Sequence, residues 1–237
     1  MNKKNTITPD CQHCQARFKS VFCNLNEAEI VALNDDKGCS NYQKGQVIFH
    51  EGTFPHGLFC VNKGKIKVSQ SGDEGRDQII RMSKEGDILG YRALLSGDKY
   101  SCSATAIDDC SICFIPKNIF FSLIEKNANL SKEILILLSH DLKNAVHKIT
   151  ELAQKPVRER LAEALLFLKE TYGFEKESMV LNVVLSREEI ANIAGTATET
   201  AIRLLSEFKQ DRIIELTGKK ISILNLPLLV KTANIFD

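Results

Sequence analysis

The sequence predicts an α+β chain in three parts: an N-terminal double-stranded β-roll of the jelly-roll kind, a long dimerisation helix, and a C-terminal winged helix-turn-helix. Three observations predict it. Between residues 41 and 116, short apolar segments alternate with turns at Lys44-Gly45, Glu51-Gly52, Lys63-Gly64, Ser71-Gly72, Glu85-Gly86 and Ser96-Gly97. Many short strands at such spacing make a sandwich or roll. Farther on, Leu135, Leu138, Leu142, Ala145, Ile149 and Leu152 recur in alternating steps of three and four, a heptad seam. Within 186–205, a capped amphipathic helix, a glycine and a second amphipathic helix follow one another.

Residues 1–24 form a leader holding Cys11, Cys14 and Cys23. Met1 to Asp10 is polar and lacks the apolar core of an export signal. Asn26 caps a short helix through Leu33, with Glu29 at the reciprocal capping position. Residues 25–129 are assigned to the roll. In it, Phe59-Cys60-Val61 and Lys65-Ile66-Lys67-Val68 flank Asn62-Lys63-Gly64, a hairpin signal. Pro116 ends the strands and opens a short helix, Lys117 to Ile124.

The long helix is assigned to 130–154. Ile134, Ile136 and Leu137 are also apolar, so its first turns pack on the roll as well as on a partner. No charge interrupts the seam, which implies a homodimer that forms without a ligand. Lys155-Pro156 breaks the helix and opens the last part, 155–237. It begins with a helix, Val157 to Tyr172, closed by Gly173, and a short strand at Met179–Leu185. After the helix-turn-helix, Arg212 to Leu224 alternates around Gly218-Lys219-Lys220, the pattern of a hairpin wing whose lysines face phosphate.

The segment 186–205 carries the functional reading. Ser186 caps the first helix in a box with Glu189. Gly195 supplies the positive φ of the turn. The second helix starts near Thr198 and buries Ala201, Leu204 and Leu205. Thr198, Glu199, Thr200, Ile202 and Arg203 then lie on or near its outer N-terminal side, the end that enters the major groove of double-stranded DNA. Arg suits the O6/N7 edge of guanine, and Glu accepts from the amino group of cytosine. An ordinary helical hairpin would instead pair Glu199 with Arg203 in solvent.

Composition narrows the alternatives. The 237 residues are 43% hydrophobic and 26% charged, with net charge +1. Residues 156–237 carry 11 Lys and Arg against 12 Asp and Glu, so DNA contact must be local and non-specific affinity modest. No run approaches the ~18 apolar residues of a membrane span. Eight cysteines without an export signal fit a reducing cytoplasm, where disulfides are not expected and thiols remain for metal or redox chemistry. Cys39, Cys60, Cys102 and Cys110 read as small strand or loop residues. His13, His50, His56, His140 and His147 do not fall on one strand face, which weighs against a jelly-roll metal enzyme. No nucleophile–base pattern, P-loop or dinucleotide fingerprint appears, so an enzyme is not expected. A sensor acting through protein partners, with a vestigial winged helix, is the other alternative.

Three motifs add a likeness. Gly86-Asp87-Ile88-Leu89-Gly90, Arg158-Glu159-Arg160-Leu161-Ala162 and Thr198-Glu199-Thr200-Ala201-Ile202-Arg203-Leu204-Leu205 resemble the family of the cyclic-AMP receptor protein and the fumarate–nitrate reduction regulator. The resemblance implies a cyclic-nucleotide-binding-like roll and a regulator of transcription on a palindromic operator. RNA polymerase is a further candidate partner. The family's base-contacting Glu-x-x-x-Arg falls on Glu199 and Arg203.

The resemblance also places an effector pocket at Gly90, Tyr91, Arg92, Tyr100 and Ser101. Cyclic AMP needs an acid and an arginine there, and Tyr91 and Tyr100 stand in their places, so cyclic AMP is not the expected effector. Arg92 is expected on the other face of a strand. The oxygen-sensing branch of the family holds an iron–sulfur cluster. Its ligands fall on Cys11, Cys14 and, in the roll, Cys113, with Cys23 as the candidate fourth. The gap from Cys14 to Cys23 is longer than that branch uses, and Ser20 stands at the expected place. A 4Fe–4S cluster, zinc and free thiols stay open.

Overall fold

The fold is that of a computed structural model, described for residues 9–72, 75 and 77–235. The chain opens with α1 (Gln15–Phe18) and α2 (Glu27–Asp36). The roll follows: β1 (Gly38–Tyr42), β2 (Val47–Phe49), β3 (Gly57–Lys63), β4 (Ile66–Ser71), β5 (Asp77–Ser83), β6 (Ile88–Leu89), α3 (Tyr91–Ser96), β7 (Ser103–Ala106) and β8 (Cys110–Pro116). Next come α4 (Lys117–Lys126), α5 (Ala128–Gln154) and α6 (Val157–Tyr172). The chain closes with α7 (Arg187–Ala194), α8 (Thr198–Gln210), β9 (Ile214–Thr217), β10 (Lys220–Ile223) and α9 (Leu226–Thr232). No helix among the described residues is long and apolar enough to cross a membrane.

The α+β architecture is a roll, a long helix and a helix-turn-helix with a two-stranded wing. The roll stacks two four-stranded sheets, in the orders β1-β8-β3-β6 and β2-β7-β4-β5. Its connections cross between sheets, and glycines at positive φ turn the chain where the sequence places them: Gly45, Gly52, Gly64, Gly86 and Gly97. Gly64 also leaves no room for a side chain, because a Cβ there would sit 2.5 Å from the Cys110 sulfur.

Strand alternation sorts two cores. Val61, Ile66, Val68, Leu89, Ala104 and Ile112 fill the space between the sheets. Leu58, Cys60, Ile88 and Ile115 face outward from the first sheet and are covered by Phe22, Leu25, Phe120, Leu123, Leu130 and Ile134. The first turns of α5 are thereby buried. Asn26 opens α2 with the expected capping box: Asn26 Oδ1 accepts from Glu29 N at 3.0 Å, and Glu29 Oε2 accepts from Asn26 N at 2.9 Å.

Three expectations need correction. The strand at Met179–Leu185 is reduced to isolated bridges, Phe174 with Leu181 and Val180 with Ser222. Residues 179–181 pair briefly with β10, Leu181 N donating to Ile221 O and Ile223 N to Met179 O, and Asn182 N then donates to Gly173 O, which turns the chain toward the end of α6. Arg92 lies in α3, a helix, because Gly90 at φ 79 caps it there. Most consequentially, Cys39 is not an isolated strand residue: it forms a disulfide with Cys113. The β1–β8 register sets the two residues opposite each other. The expectation of no disulfide fails because that pairing, across 74 residues of sequence, is invisible to local pattern.

The chain divides into two compact units. One comprises Arg81–Leu142 and the chain up to Gln70; the other comprises Ser71–Ile80 and the chain from Lys143.

Candidate nucleic-acid interface

The helix-turn-helix is built locally. Ser186 Oγ accepts from Glu189 N at 3.0 Å, and Glu189 Oε2 accepts from Ser186 N at 2.8 Å. That box satisfies two of the free amides opening α7. Ile190, Ala191, Ile193 and Ala194 are buried, and Gly195 at φ 65 ends the helix. Arg160 secures the turn: Nε donates to Ala194 O and a terminal nitrogen to Gly195 O, both at 3.0 Å. Its third bond, to Lys155 O at 2.9 Å, ties the same guanidinium to the break before α6. Sequence reasoning quoted Arg160 in a motif but gave it no role. Its signal was a charged residue kept among the apolar positions of an amphipathic helix.

Helix α8 runs Thr198–Gln210 and buries Ala201, Leu204, Leu205 and Phe208. Those anchors leave Glu199, Ile202 and Arg203 exposed, with Thr198 and Thr200 half-buried. Arg203 is not paired with Glu199. Its guanidinium meets Glu207 at 2.6 Å, one turn farther along. Glu207 also holds Arg158 at 2.7 Å, and Arg158 reaches Asp211 at 2.7 Å while stacking over Phe208. Among the described residues, Glu199 makes no ion pair.

The wing is the hairpin β9–β10, turning at Gly218 with φ 60. Arg187 donates to Gly218 O at 2.8 Å and so fastens the wing tip to α7. Lys220 is engaged by Glu175 at 2.8 Å, whereas Lys219 is exposed and makes no ion pair among the described residues.

The seam of α5 is open to solvent. Leu135, Leu142 and Ile149 are 65, 67 and 66% exposed, Ala145 is exposed, and Leu152 is 39% exposed. Leu138 is half-buried against the outer core. Val146 adds to the apolar stripe.

Of the five expected effector residues, Gly90 lies against the Tyr100 ring, Arg92 and Ser101 both reach the Cys102 thiol, and Tyr91 is turned away from them. Tyr91 turns outward, where its hydroxyl donates to Asp141 of α5 and accepts from Arg81 at 2.7 Å. Burial, together with the Asp141 carboxylate, pushes this phenol up to about 12, against the pull of Arg81. Tyr100 turns inward and stacks on Phe49, with ring centroids 4.1 Å apart. Phe49 stacks in turn on Phe59. These rings fill the inner core beside Gly90. Arg92 and Ser101 are exposed.

The leader cysteines do not present four free thiolates together with Cys113. Cys113 is bonded to Cys39. Cys11 is buried and accepts from Lys37 Nζ at 3.0 Å; Cys14 donates to Asn62 Oδ1 at 3.4 Å. The leader is wrapped around the buried Arg17, whose guanidinium donates to the carbonyls of Cys11, Phe22 and Cys23. Ser20, in the expected third place, closes a turn by donating to Arg17 O at 2.8 Å. These residues as arranged do not fit a four-thiolate cluster. Nor do the free leader thiols converge within 4.8 Å as a single ion requires; among the described residues the group that does is His147, Glu151 and Glu163. Lys148 and Lys155 pair with those glutamates and balance their charge.

Comparison with known proteins agrees with this architecture. Residues 39–127 match the cyclic nucleotide-binding domain family, and 159–232 match the Crp-like helix-turn-helix domain family. The fumarate and nitrate reduction regulatory protein of Vibrio cholerae is 31% identical over 95% of this chain and 90% of that protein. That of Escherichia coli is 30% identical over 94% of this chain and 90% of its own length. A solved CRP/FNR-family transcriptional regulator from Thermus thermophilus is 25% identical, with a TM-score of 0.70 over 84% of this chain and 99% of that one. Fold, helix-turn-helix and sequence likeness over nearly the whole chain lead to one conclusion: the chain belongs to the Crp/Fnr family of transcription regulators.

Proposed function

We propose that this regulator acts as a homodimer on a palindromic operator, reading each half-site with α8 and responding to an effector other than cyclic AMP. The observation that carries the reading is the outer face of α8. Four apolar residues anchor the helix, and Glu199, Ile202 and Arg203 are left in solvent at its N-terminal half. Two of the three are chemically matched to base edges, and Lys219 is free to meet phosphate at the wing. The exposed stripe on α5 supports the dimer, since apolar patches of this kind mark association sites. A two-fold dimer carries two reading helices, which explains a symmetric site.

The effector reading follows from Tyr91 and Tyr100. Neither offers the cation that a buried cyclic phosphate needs, and Tyr100 sits in a ring stack. The names of the relatives point to genes of fumarate and nitrate reduction as the regulated class. The test is selection of bound duplexes from a random pool by the full-length protein, followed by titration of the winner. A palindrome should emerge. Arg203→Ala should then lose at least about tenfold in affinity while keeping its dimer and its fold, a bidentate contact to guanine being worth about 1–3 kcal/mol. Recovery of no preferred sequence, or an Arg203→Ala protein that binds as wild type does, would defeat the assignment.

A further inference from the structure

We propose that Cys39 and Cys113 form a reversible thiol-oxidation site in the roll, with a small hydroperoxide as its oxidant. The site follows from sheet register. Cys39 of β1 stands opposite Cys113 of β8, and Cys113 stands opposite Cys60 of β3. Directly opposed residues of antiparallel strands project to the same face, so three cysteines form a row across the sheet. The Cα atoms of Cys39 and Cys113 are 4.1 Å apart, and they carry a disulfide. Because the ladder already holds the two strands in place, the bond can open and close while their pairing persists.

Access within the row is graded. β1 is the edge strand, and Cys39 is half-exposed there. Cys113 lies buried beneath it, and Cys60 is buried in the outer core. The order of events is therefore set by position. The Cys39 thiolate attacks one peroxide oxygen, the O–O bond breaks, and Cys39 becomes a sulfenic acid as the departing oxygen takes a proton and leaves as water or alcohol. The Cys113 sulfur then attacks the Cys39 sulfur, the S–O bond breaks, and the departing hydroxide takes the Cys113 proton to leave as water. The two sulfurs give up two electrons and the peroxide gains them. A dithiol reverses the bond by exchange.

This site differs from the four-thiolate site the resemblance implies. The same Cys113 cannot serve both, and Ser20 stands where a leader thiol is wanted. Redox response then resides in the sheet. β8 runs through Pro116 directly into α4, so covalent closure of β1 onto β8 acts on the strand that leads to the helices. Only this output rests on the DNA-binding reading.

The experiment uses the full-length protein, reduced with dithiothreitol, desalted under nitrogen, and titrated with hydrogen peroxide. Free thiols are then blocked with N-ethylmaleimide. Peroxide should link the tryptic peptides 38–44 and 100–117, with fragment ions placing the bond on Cys39 and Cys113 and maleimide on Cys102 and Cys110, and dithiothreitol should release the peptides under native conditions. Affinity for the selected operator should change by at least about fivefold on closure and return on reduction. Cys39→Ser should bind like the reduced protein and ignore peroxide. Maleimide on both Cys39 and Cys113 after peroxide would overturn the proposal. So would a link that resists dithiothreitol in the folded protein, or an affinity that closure leaves unchanged. If neither form binds any operator, the DNA reading fails while the wild-type peptide map still decides the thiol site. That map needs no variant to fold.

Discussion

Arg203 and Glu207 form an ion pair on the face of α8 proposed to meet DNA. Arg203, the arginine proposed to read DNA, rests on a carboxylate one helical turn away, and Arg158 binds the other side of that carboxylate. Docking must exchange an exposed ion pair for a base contact, a small cost because such pairs contribute only about 0–1 kcal/mol. In the proposed reading, Glu199, which makes no ion pair among the described residues, supplies discrimination. Glu199→Ala should relax preference at one base pair by about 1–3 kcal/mol, read as a narrowed affinity gap between the operator and its single-base variant. An unchanged gap would place the reading face elsewhere on α8. The buried thiol of Cys60 makes a second residue-level prediction. Its ordinary value is 9.0, and burial raises it to about 12 in the fold. Above about pH 9 the unfolded chain loses this proton while the folded chain keeps it, so stability falls as pH rises between those values. Melting temperature measured from pH 8 to 10.5 should decline, and Cys60→Ala should flatten that decline.

Helix α5 combines two jobs along its length. Leu130 and Ile134 are committed to the outer core, whereas Leu135, Leu142 and Ile149 face solvent. Packing alone does not account for a helix of 27 residues with so much apolar surface uncovered. Leu142→Glu should yield a monomer by sedimentation equilibrium, with the roll's circular dichroism intact because this side chain touches no core. A persistent dimer would move the interface off the seam. The heptad steps were readable because they repeat along one element. By contrast, the strand expected at Met179–Leu185 was misjudged: apolar alternation reports a half-buried segment, but extended pairing also needs a neighbour of sufficient length, and β10 has four residues.

For the molecule as a whole, charge limits what DNA contact can be. With net charge +1 and a balanced C-terminal part, no broad basic field attracts phosphate. Binding to a random duplex should therefore be weak at physiological salt, and weaker than operator binding by at least about a thousandfold. Comparable affinity for both, with a steep salt dependence, would show that backbone contacts dominate instead.

Local physics was legible in the residues. Ser186 and Glu189 define a helix start, Gly195 defines a turn, and a run of Gly-bearing turns defines a roll, because each depends on neighbours within a few positions. The order of roll, long helix and helix-turn-helix follows from those signals in series. Longer-range pairings stayed hidden. The strand register that sets Cys39 against Cys113, the guanidinium of Arg160 on the α7–α8 turn, and the diversion of Tyr91 from the expected pocket to Asp141 all join residues far apart in the chain. Nothing in composition or periodicity encodes which strand lies beside which. That choice is made when two sheets bury their apolar faces together, and the chemistry of the thiols is decided with it.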